Sequence, residues 1–301
     1  MELRDIEYFA VVAEHGNVRR ASEALGLSPP ALSKSLRRLE QSMQAKLVER
    51  TSKGVALTPV GTALLAQVGR LRLTLQDIKR EAADLSQGSA GRLAIGVGAT
   101  TVEDLPEAYV ALLQEAPKLT GRVVVADNDV MVPALRNAEL DLLFNVIPDS
   151  PYEGCVQERL FDDEFVVCAA ADHPLAKRTA LTLADLAHEQ WALSAPTVLN
   201  VQHVFRAFEA SGLPPPRVAI EARPVGLRLQ ICAATRLLSF NARRLLEQAA
   251  PSLGLRELPV EKLKWRRAVG VIYRKDAYLS PAARRLIGVL RAAARRRAPG
   301  D

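Results

Sequence analysis

The sequence predicts a mixed α/β protein in which a small helical module with a hairpin precedes two α/β lobes. Three observations predict it. Asn17 to Leu39, NVRRASEALGLSPPALSKSLRRL, reads as two short helices about a tight turn. Leu64, Val68, Leu71, Leu75, Ile78, Ala82 and Leu85 recur at alternating spacings of four and three, the stripe of one long helix. After the hinge-like SQGSAG of residues 86–91, the pattern changes to strand, loop, helix, strand, which belongs to an α/β domain.

In chain order, residues 3–14 form a first helix with Ile6, Phe9, Ala10 and Ala13 as its apolar stripe. The helix pair follows. Val18–Leu25 is its first member, Gly26 and Leu27 turn the chain, and Ser28 caps the second, whose first turn accepts Pro29 and Pro30 because N–H groups there lack intrahelical partners. Leu32, Leu36 and Leu39 share one face and pack toward Ala21 and Leu25. The opposite face carries Pro30, Ser33, Lys34, Arg37 and Gln41, with Arg38 at its margin. Such a helix suits the major groove of duplex DNA. Similar helix pairs also occur in proteins that never meet DNA, so the context decides. The helix ends near Met43. Leu47–Glu49 and Val55–Leu57 are extended pieces about the turn Thr51–Gly54, a hairpin wing that places Arg50 and Lys53 to reach phosphates.

The long helix runs from Pro59 to Ser86, and its stripe needs a partner. A globular domain of the same chain could cover it. The length of the stripe and its polar flanks favour the equivalent helix of a second subunit, with Leu64, Val68, Leu71, Leu75 and Ile78 as the dimer seam. Dimerisation would set two reading helices on successive turns of DNA.

Beyond the hinge, strands are expected at Leu93–Val97, Val123–Val125, Asp141–Asn145, Phe165–Cys168, Trp191–Ser194, Val218–Ala222, Leu237–Phe240 and Ala268–Tyr273. Helices are expected around Leu105–Leu112 and at Val130–Asn137, Phe205–Ser211, Leu227–Ala234 and Pro281–Arg296. This count makes two lobes with boundaries near 162 and 267 and a cleft between them, a natural small-ligand site. Thr100 and Thr101 precede a helix, where hydroxyls and free N–H groups hold an anion or simply cap the helix. Ser194 and Thr197 follow an apolar strand and could face the same cleft. Asn128 and Asp129 begin another helix; an aspartate there repels a carboxylate, so this pair caps the helix or accepts donors from a sugar or amine. Arg223, at a strand end, supplies positive charge.

Enzymatic chemistry finds no constellation. His15, His173, His188 and His203 have only sequence-adjacent carboxylates, and no G-x-G-x-x-G or P-loop pattern follows a strand. Cys155, Cys168 and Cys232 are too scattered for a zinc site or a disulfide framework, and Cys168 reads as a buried small hydrophobe. No metal and no cofactor are expected. The 301 residues, 49% of them apolar, allow two or three domains with sizeable cores. Aromatic residues at 5% disfavour a single-strand binder that works by stacking. A formal charge of +6 permits DNA binding without requiring it, since Arg284, Arg285, Arg291, Arg295, Arg296 and Arg297 alone could supply the excess. The acidic start and the lack of a membrane-length apolar run predict a soluble, cytoplasmic protein.

The residues LRDIEYFAVVAEHGN, RRASEALGLS, PPALSKSLRRLE and LVERTSKGVALTPVG, in this order and spacing, resemble the LysR family of bacterial transcription regulators. GRLAIGVG, LRNAELDLLF, DDEFVVCAAADHPLA and VGVIYRKDAYLSPAARRLIGVL extend the resemblance, more loosely, over essentially the full chain. It implies a winged helix-turn-helix DNA-binding domain over 1–60 and a linker and dimerisation helix over 61–88. A two-lobed effector domain resembling periplasmic binding proteins would fill 91–301, with lobe I at about 91–161 and 267–301 and lobe II at about 162–266. DNA contacts would fall on Pro30, Ser33, Lys34, Arg37, Arg38, Arg50 and Lys53, and effector contacts on Thr100, Thr101, Asn128, Asp129, Ser194, Thr197 and Arg223. The implied partners are double-stranded promoter DNA, a small organic effector such as an anion or a sugar-derived acid, further copies of the chain as a homodimer or dimer of dimers (a homotetramer), and RNA polymerase. The implied role is activation of a catabolic or transport operon. Three departures stand out. Pro29 replaces a common Gln, Met43-Gln44 replaces a Leu-Gly helix end, and Ala233 to Arg236 lacks the family's glycines, which alters the shape of the cleft.

Overall fold

The computed structural model of the protein describes residues 2–52, 54–87 and 91–297. The chain divides into two compact units between Lys79 and Arg80.

In the N-terminal unit, α1 (Leu3–His15) ends on Gly16 in the left-handed conformation, whose N–H reaches the Val12 carbonyl. The Asn17 side chain accepts from the N–H groups of Arg19 at 2.8 Å and Arg20 at 3.3 Å, starting α2 (Val18–Leu25). Ser28 Oγ accepts from Ala31 N at 3.4 Å to start α3 (Pro29–Met43). Two strands, β1 (Val48–Thr51) and β2 (Gly54–Leu57), pair antiparallel as the hairpin. Buried Glu40 fixes the bend between helix and hairpin: it accepts from Leu47 N at 3.0 Å and Lys46 Nζ at 2.9 Å. Phe9, Ala10, Val12, Ala21, Leu32, Leu36, Leu39 and Leu47 form the core.

The long helix α4 (Pro59–Gln87) begins with Thr58 Oγ1 accepting from Gly61 N at 2.9 Å. Its stripe is not one uniform seam. Val68 is 2% exposed inside the core of its own unit, with Leu64 packed against that core. Leu71 and Leu75 are half-buried, whereas Ile78 is 55% exposed. The expectation of a single intersubunit seam is therefore corrected at Val68. The first turns of α4 lie against α1–α3, and Arg72 pairs there with Glu7 at 2.9 Å and Glu14 at 2.8 Å.

The second unit is built on one seven-stranded sheet. From its parallel end come β3 (Arg92–Val97), α5 (Leu105–Glu115), β4 (Thr120–Val125), α6 (Asn128–Arg136) and β5 (Leu142–Val146). A 16-residue strand, β6 (Cys155–Ala170), then leads to the other half. There lie β7 (Gln190–Leu193), α7 (Leu199–Ala210), β8 (Arg217–Glu221), α8 (Val225–Ala234), β9 (Ser239–Ala242), α9 (Arg243–Leu253) and β10 (Leu255–Leu258). The chain returns through β11 (Trp265–Arg274) and closes with α10 (Pro281–Arg297) against the first half.

The sheet order is β10-β6-β11-β5-β3-β4, with β9 also on β6, while β7 and β8 form a separate parallel pair. The long strands cross between the halves side by side, with Asp162 opposite Ala268 and Phe165 opposite Trp265. Sequence patterning marked only Phe165–Cys168 of β6, because its first half, CVQERLFDDE, is charged and is held as a strand by pairing with β11. It also passed over α9 and β10. Pro251 interrupts the pattern of the one, and LREL is too short and too polar to announce the other.

Candidate functional site

Two surfaces gather the singled-out residues. On the outer face of α3, Pro30, Lys34 and Arg37 are exposed and Ser33 is half-buried. Arg50 is exposed on β1 opposite Val55. Ser33, Arg37 and Arg50 line one groove between helix and hairpin. Lys34, Arg37 and Arg50 have no hydrogen-bond or ion-pair partner among the described residues. Lys53 lies outside the described residues.

Arg38 is different. Its Nε donates to Asp5 Oδ2 at 2.8 Å, and a second guanidinium nitrogen reaches Asp5 Oδ1. Asp5 is fully buried on α1 and also accepts from Ser35 Oγ at 2.6 Å. The Arg38 bond, aided by Ser35 against the cost of burial, holds the Asp5 carboxyl down to about 2. The expectation that Arg38 belongs with the groove-facing set is corrected: its guanidinium clamps α3 to α1.

The second surface is a cavity of about 330 Å³ in the second unit, lined from both halves of the sheet. Thr100, Asn128, Asp129, Ser194, Thr197 and Arg223 all line it. Thr101 does not. It is fully buried, and its hydroxyl donates toward the carbonyls of Gly98 at 3.0 Å and Phe144 at 2.9 Å. Thr101 is thus corrected from a ligand-facing residue to one that ties the loop after β3 to β5.

Asp129 and Arg223, expected to face a ligand separately, bind each other. Arg223 donates to Asp129 Oδ2 at 3.0 Å, Asp129 Oδ1 at 3.3 Å and Asp127 Oδ2 at 3.1 Å. Thr197 Oγ1 donates to Asp129 at 2.7 Å. This network joins the two halves across the cavity. The hydrogen bond from Arg223 lowers the Asp129 pKa, whereas burial raises that of Asp127.

Several lining residues escaped the sequence reading: Asp127, Asn145, Arg228 and Trp265. Asn145 Nδ2 donates to Asn128 Oδ1 at 2.9 Å, and Asn128 Nδ2 to the Val146 carbonyl at 3.0 Å. Asn145 can sit there because residue 98 is glycine; a Cβ at Gly98 would stand 1.8 Å from Asn145 Oδ1. Arg228 carries the one sequence signal that could have been used, the single charge in the mostly apolar helix VGLRLQICAA. Among the described residues, no group of three or more His, Cys, Asp or Glu side chains could hold a metal ion. No described helix is long and apolar enough to cross a membrane.

Residues 3–62 match the model of the bacterial regulatory helix-turn-helix proteins of the lysR family, and residues 86–295 match that of the LysR substrate binding domain. The chain is 31% identical to the HTH-type transcriptional regulator GbpR of Azospirillum brasilense, over 97% of this chain and 86% of that protein. It is 30% identical to the RuBisCO operon transcriptional regulator of Allochromatium vinosum, over 94% of this chain and 93% of that protein. Among solved structures, full-length CbnR complexed with its target DNA superposes with a TM-score of 0.59 at 21% identity, covering 97% of this chain and 100% of CbnR. Family members bind promoter DNA and small-molecule effectors and form oligomers. With both family models together spanning nearly the whole chain, the protein belongs to the LysR family of transcriptional regulators, which are ligand-responsive DNA-binding proteins and not enzymes.

Proposed function

We propose that the outer face of α3 reads an operator in the major groove and that the cavity of the second unit receives the effector. Lys34, Arg37 and Arg50 supply phosphate attraction, with Lys53 as the further wing cation of the sequence reading, and Ser33, Arg37 and Pro30 approach base edges. The observation that carries this reading is that Lys34, Arg37 and Arg50 stand exposed without an acid of their own chain among the described residues.

Two copies joined through the exposed end of the α4 stripe would bind a palindromic site, and a dimer of dimers would bend the DNA between sites. The effector, a small organic anion or sugar-derived acid, shifts the oligomer between two arrangements by binding them unequally. The shift lets RNA polymerase engage, so that the protein activates a catabolic or transport operon in the cytoplasm.

The test is footprinting of the DNA flanking the gene, followed by anisotropy titration with the protected duplex. Lys34→Ala with Arg37→Ala is expected to cost about 2–4 kcal/mol of binding and to flatten the salt dependence, with the oligomeric state unchanged by sedimentation. Unaltered operator affinity in that double variant would refute the groove-reading assignment.

A further inference from the structure

His203, on α7, belongs to a cluster of rings at the start of the crossing strand β11. Its imidazole lies nearly parallel to the Trp265 indole, with centroids 4.7 Å apart and planes inclined by 8°, and it stacks on Phe240 at 5.9 Å. Trp265 also touches Phe165 of β6 at 5.8 Å, and the Arg267 guanidinium lies 4.5 Å from its ring centroid. Arg267 is 4% exposed and donates to the Ile147 carbonyl and to Asp149 Oδ1, both at 2.6 Å, just beyond the end of β5. One chain of contacts thus runs from α7, in the half that holds β7 and β8, through Trp265 to the half that holds β3, β4 and β5.

This place suits a neutral imidazole and resists a charged one. His203 Nε2 is buried without a hydrogen-bond partner among the described residues. A proton there adds a cation with no acceptor inside an apolar stack. The charged side chains that act on the ring are Arg267 and, three residues on along α7, Arg206; both are positive. The other titratable groups on the elements around the ring are engaged elsewhere or exposed. On the turn Glu261–Leu263, which packs on α7, Glu261 pairs with Lys264 and Lys262 is exposed. Arg266 of β11 pairs with Asp162 at 3.2 Å, Glu164 of β6 pairs with Arg243, and Asp163 accepts from Glu164 N at 2.8 Å. Glu209 stands exposed near the far end of α7, and β9 carries no charge. An indole face attracts a cation, but Arg267 already takes up that attraction. Burial lowers the His203 pKa, a hydrogen bond with the Leu263 backbone offsets part of the shift, and the two guanidiniums lower it further.

We propose that His203 is a proton-operated latch: neutral, it holds α7 on Trp265 and so braces the two halves across the crossing, and protonated, it lets α7 go. Release returns the ring to water and to the ordinary histidine range. The stacked arrangement is therefore fully favoured above about pH 6.5, and it loses up to about tenfold against release for each pH unit below that, until its own lowered pKa is passed. Trp265 and, from α7, Leu199 and Asn200 also line the cavity, so release reshapes one of its walls. Acidification becomes an input to the second unit in its own right, whatever the cavity binds.

The chain has two tryptophans, Trp191 and Trp265, so Trp191→Phe leaves Trp265 as the sole reporter in the full-length protein. Its emission and its quenching by acrylamide are followed from pH 8 to pH 5, with far-UV circular dichroism recorded alongside. The emission is expected to move to longer wavelength and the quenching constant to at least double, with a midpoint below about 6.5 and the circular dichroism unchanged. His203→Phe keeps a ring on Trp265 and removes the titration, so it should hold the pH 8 emission throughout. His203→Gln, the second variant, removes the ring and should show the released emission at every pH. Should Trp191→Phe fold poorly, the same titration is read as the difference between the wild type and His203→Phe. No transition over this range overturns the latch. So does a transition that persists in both His203 variants, or one that coincides with loss of helix, which would be unfolding of the unit.

Discussion

The α3 face and the cavity hold similar side chains in opposite states. On α3, Lys34 and Arg37 stand in solvent without internal acceptors among the described residues. In the cavity, Arg223 is engaged by Asp127 and Asp129, and Arg228 is sealed among carbonyls. The difference follows from the partners. A polyanion binds through counter-ion release, which needs cations left open toward water. A small ligand binds to groups already oriented, and orientation requires that they hold one another. An open cation therefore speaks for an extended partner and an engaged one for a small partner or for structure alone. Arg38 shows that a single helix can carry both kinds.

The comparison is most exposed to failure along α4, where engaged and open positions lie on one stripe. Val68→Asp buries a charge in the N-terminal core and is expected to cost about 4 kcal/mol or more, unfolding that unit in a denaturant titration. Ile78→Asp should leave the fold unchanged and raise the dimer dissociation constant at least tenfold by sedimentation. Equal unfolding by both would erase the distinction.

Asp5 comes next. Its folded pKa is depressed to about 2, so its contribution is complete above the usual carboxylate range and disappears as pH falls from about 4 through 2. Asp5→Asn is expected to lower stability by about 2 kcal/mol at pH 7 and to flatten the acid limb of the stability curve over that window. An unchanged acid limb would mean that Arg38 is free for DNA after all.

At the edge of the cavity, the adjacent residues Thr100, which lines it, and Thr101, which does not, make the contrast directly. Thr101→Val removes the donor to two carbonyls and should cost about 1–2 kcal/mol in thermal unfolding. Thr100→Val should spare stability and alter ligand affinity. The smallest effect concerns Gln44, which closes α3 at φ +51°, a left-handed conformation that suits glycine. Gln44→Gly should stabilise the N-terminal unit by about 0.5–1 kcal/mol. A destabilised variant would show that the Gln44 side chain holds the entry to the hairpin.

The α3 face was legible because it is local. Pro30, Ser33, Lys34 and Arg37 fall within eight residues, and helical spacing alone sorts them onto one side. What was misread there depended on distance: the partner of Arg38 lies 33 residues away. The cavity is distant throughout. Thr197 meets Asp129 across 68 residues and Arg223 meets it across 94, contacts that only the strand order creates. Chemistry-bearing residue types at element ends still pointed to Thr100, Asn128, Asp129, Ser194, Thr197 and Arg223 as lining groups. Nothing local showed that two of these six neutralise each other, or that Thr101 turns inward beside Thr100.

The side-by-side passage of β6 and β11 constrains how the second unit can respond. A pair of flexible tethers would let its halves drift in any direction, whereas a hydrogen-bonded ribbon is stiff to shear and stretch and yields mainly to twist. Occupation of the cavity should then be felt as a rotation of small amplitude about one axis. Gly270 sits at the irregularity in that ribbon, where a Cβ would stand 2.0 Å from the Glu158 carbonyl oxygen. A side chain there would force the paired backbone to shift beside Asn145, which lies opposite Gly270 on β5.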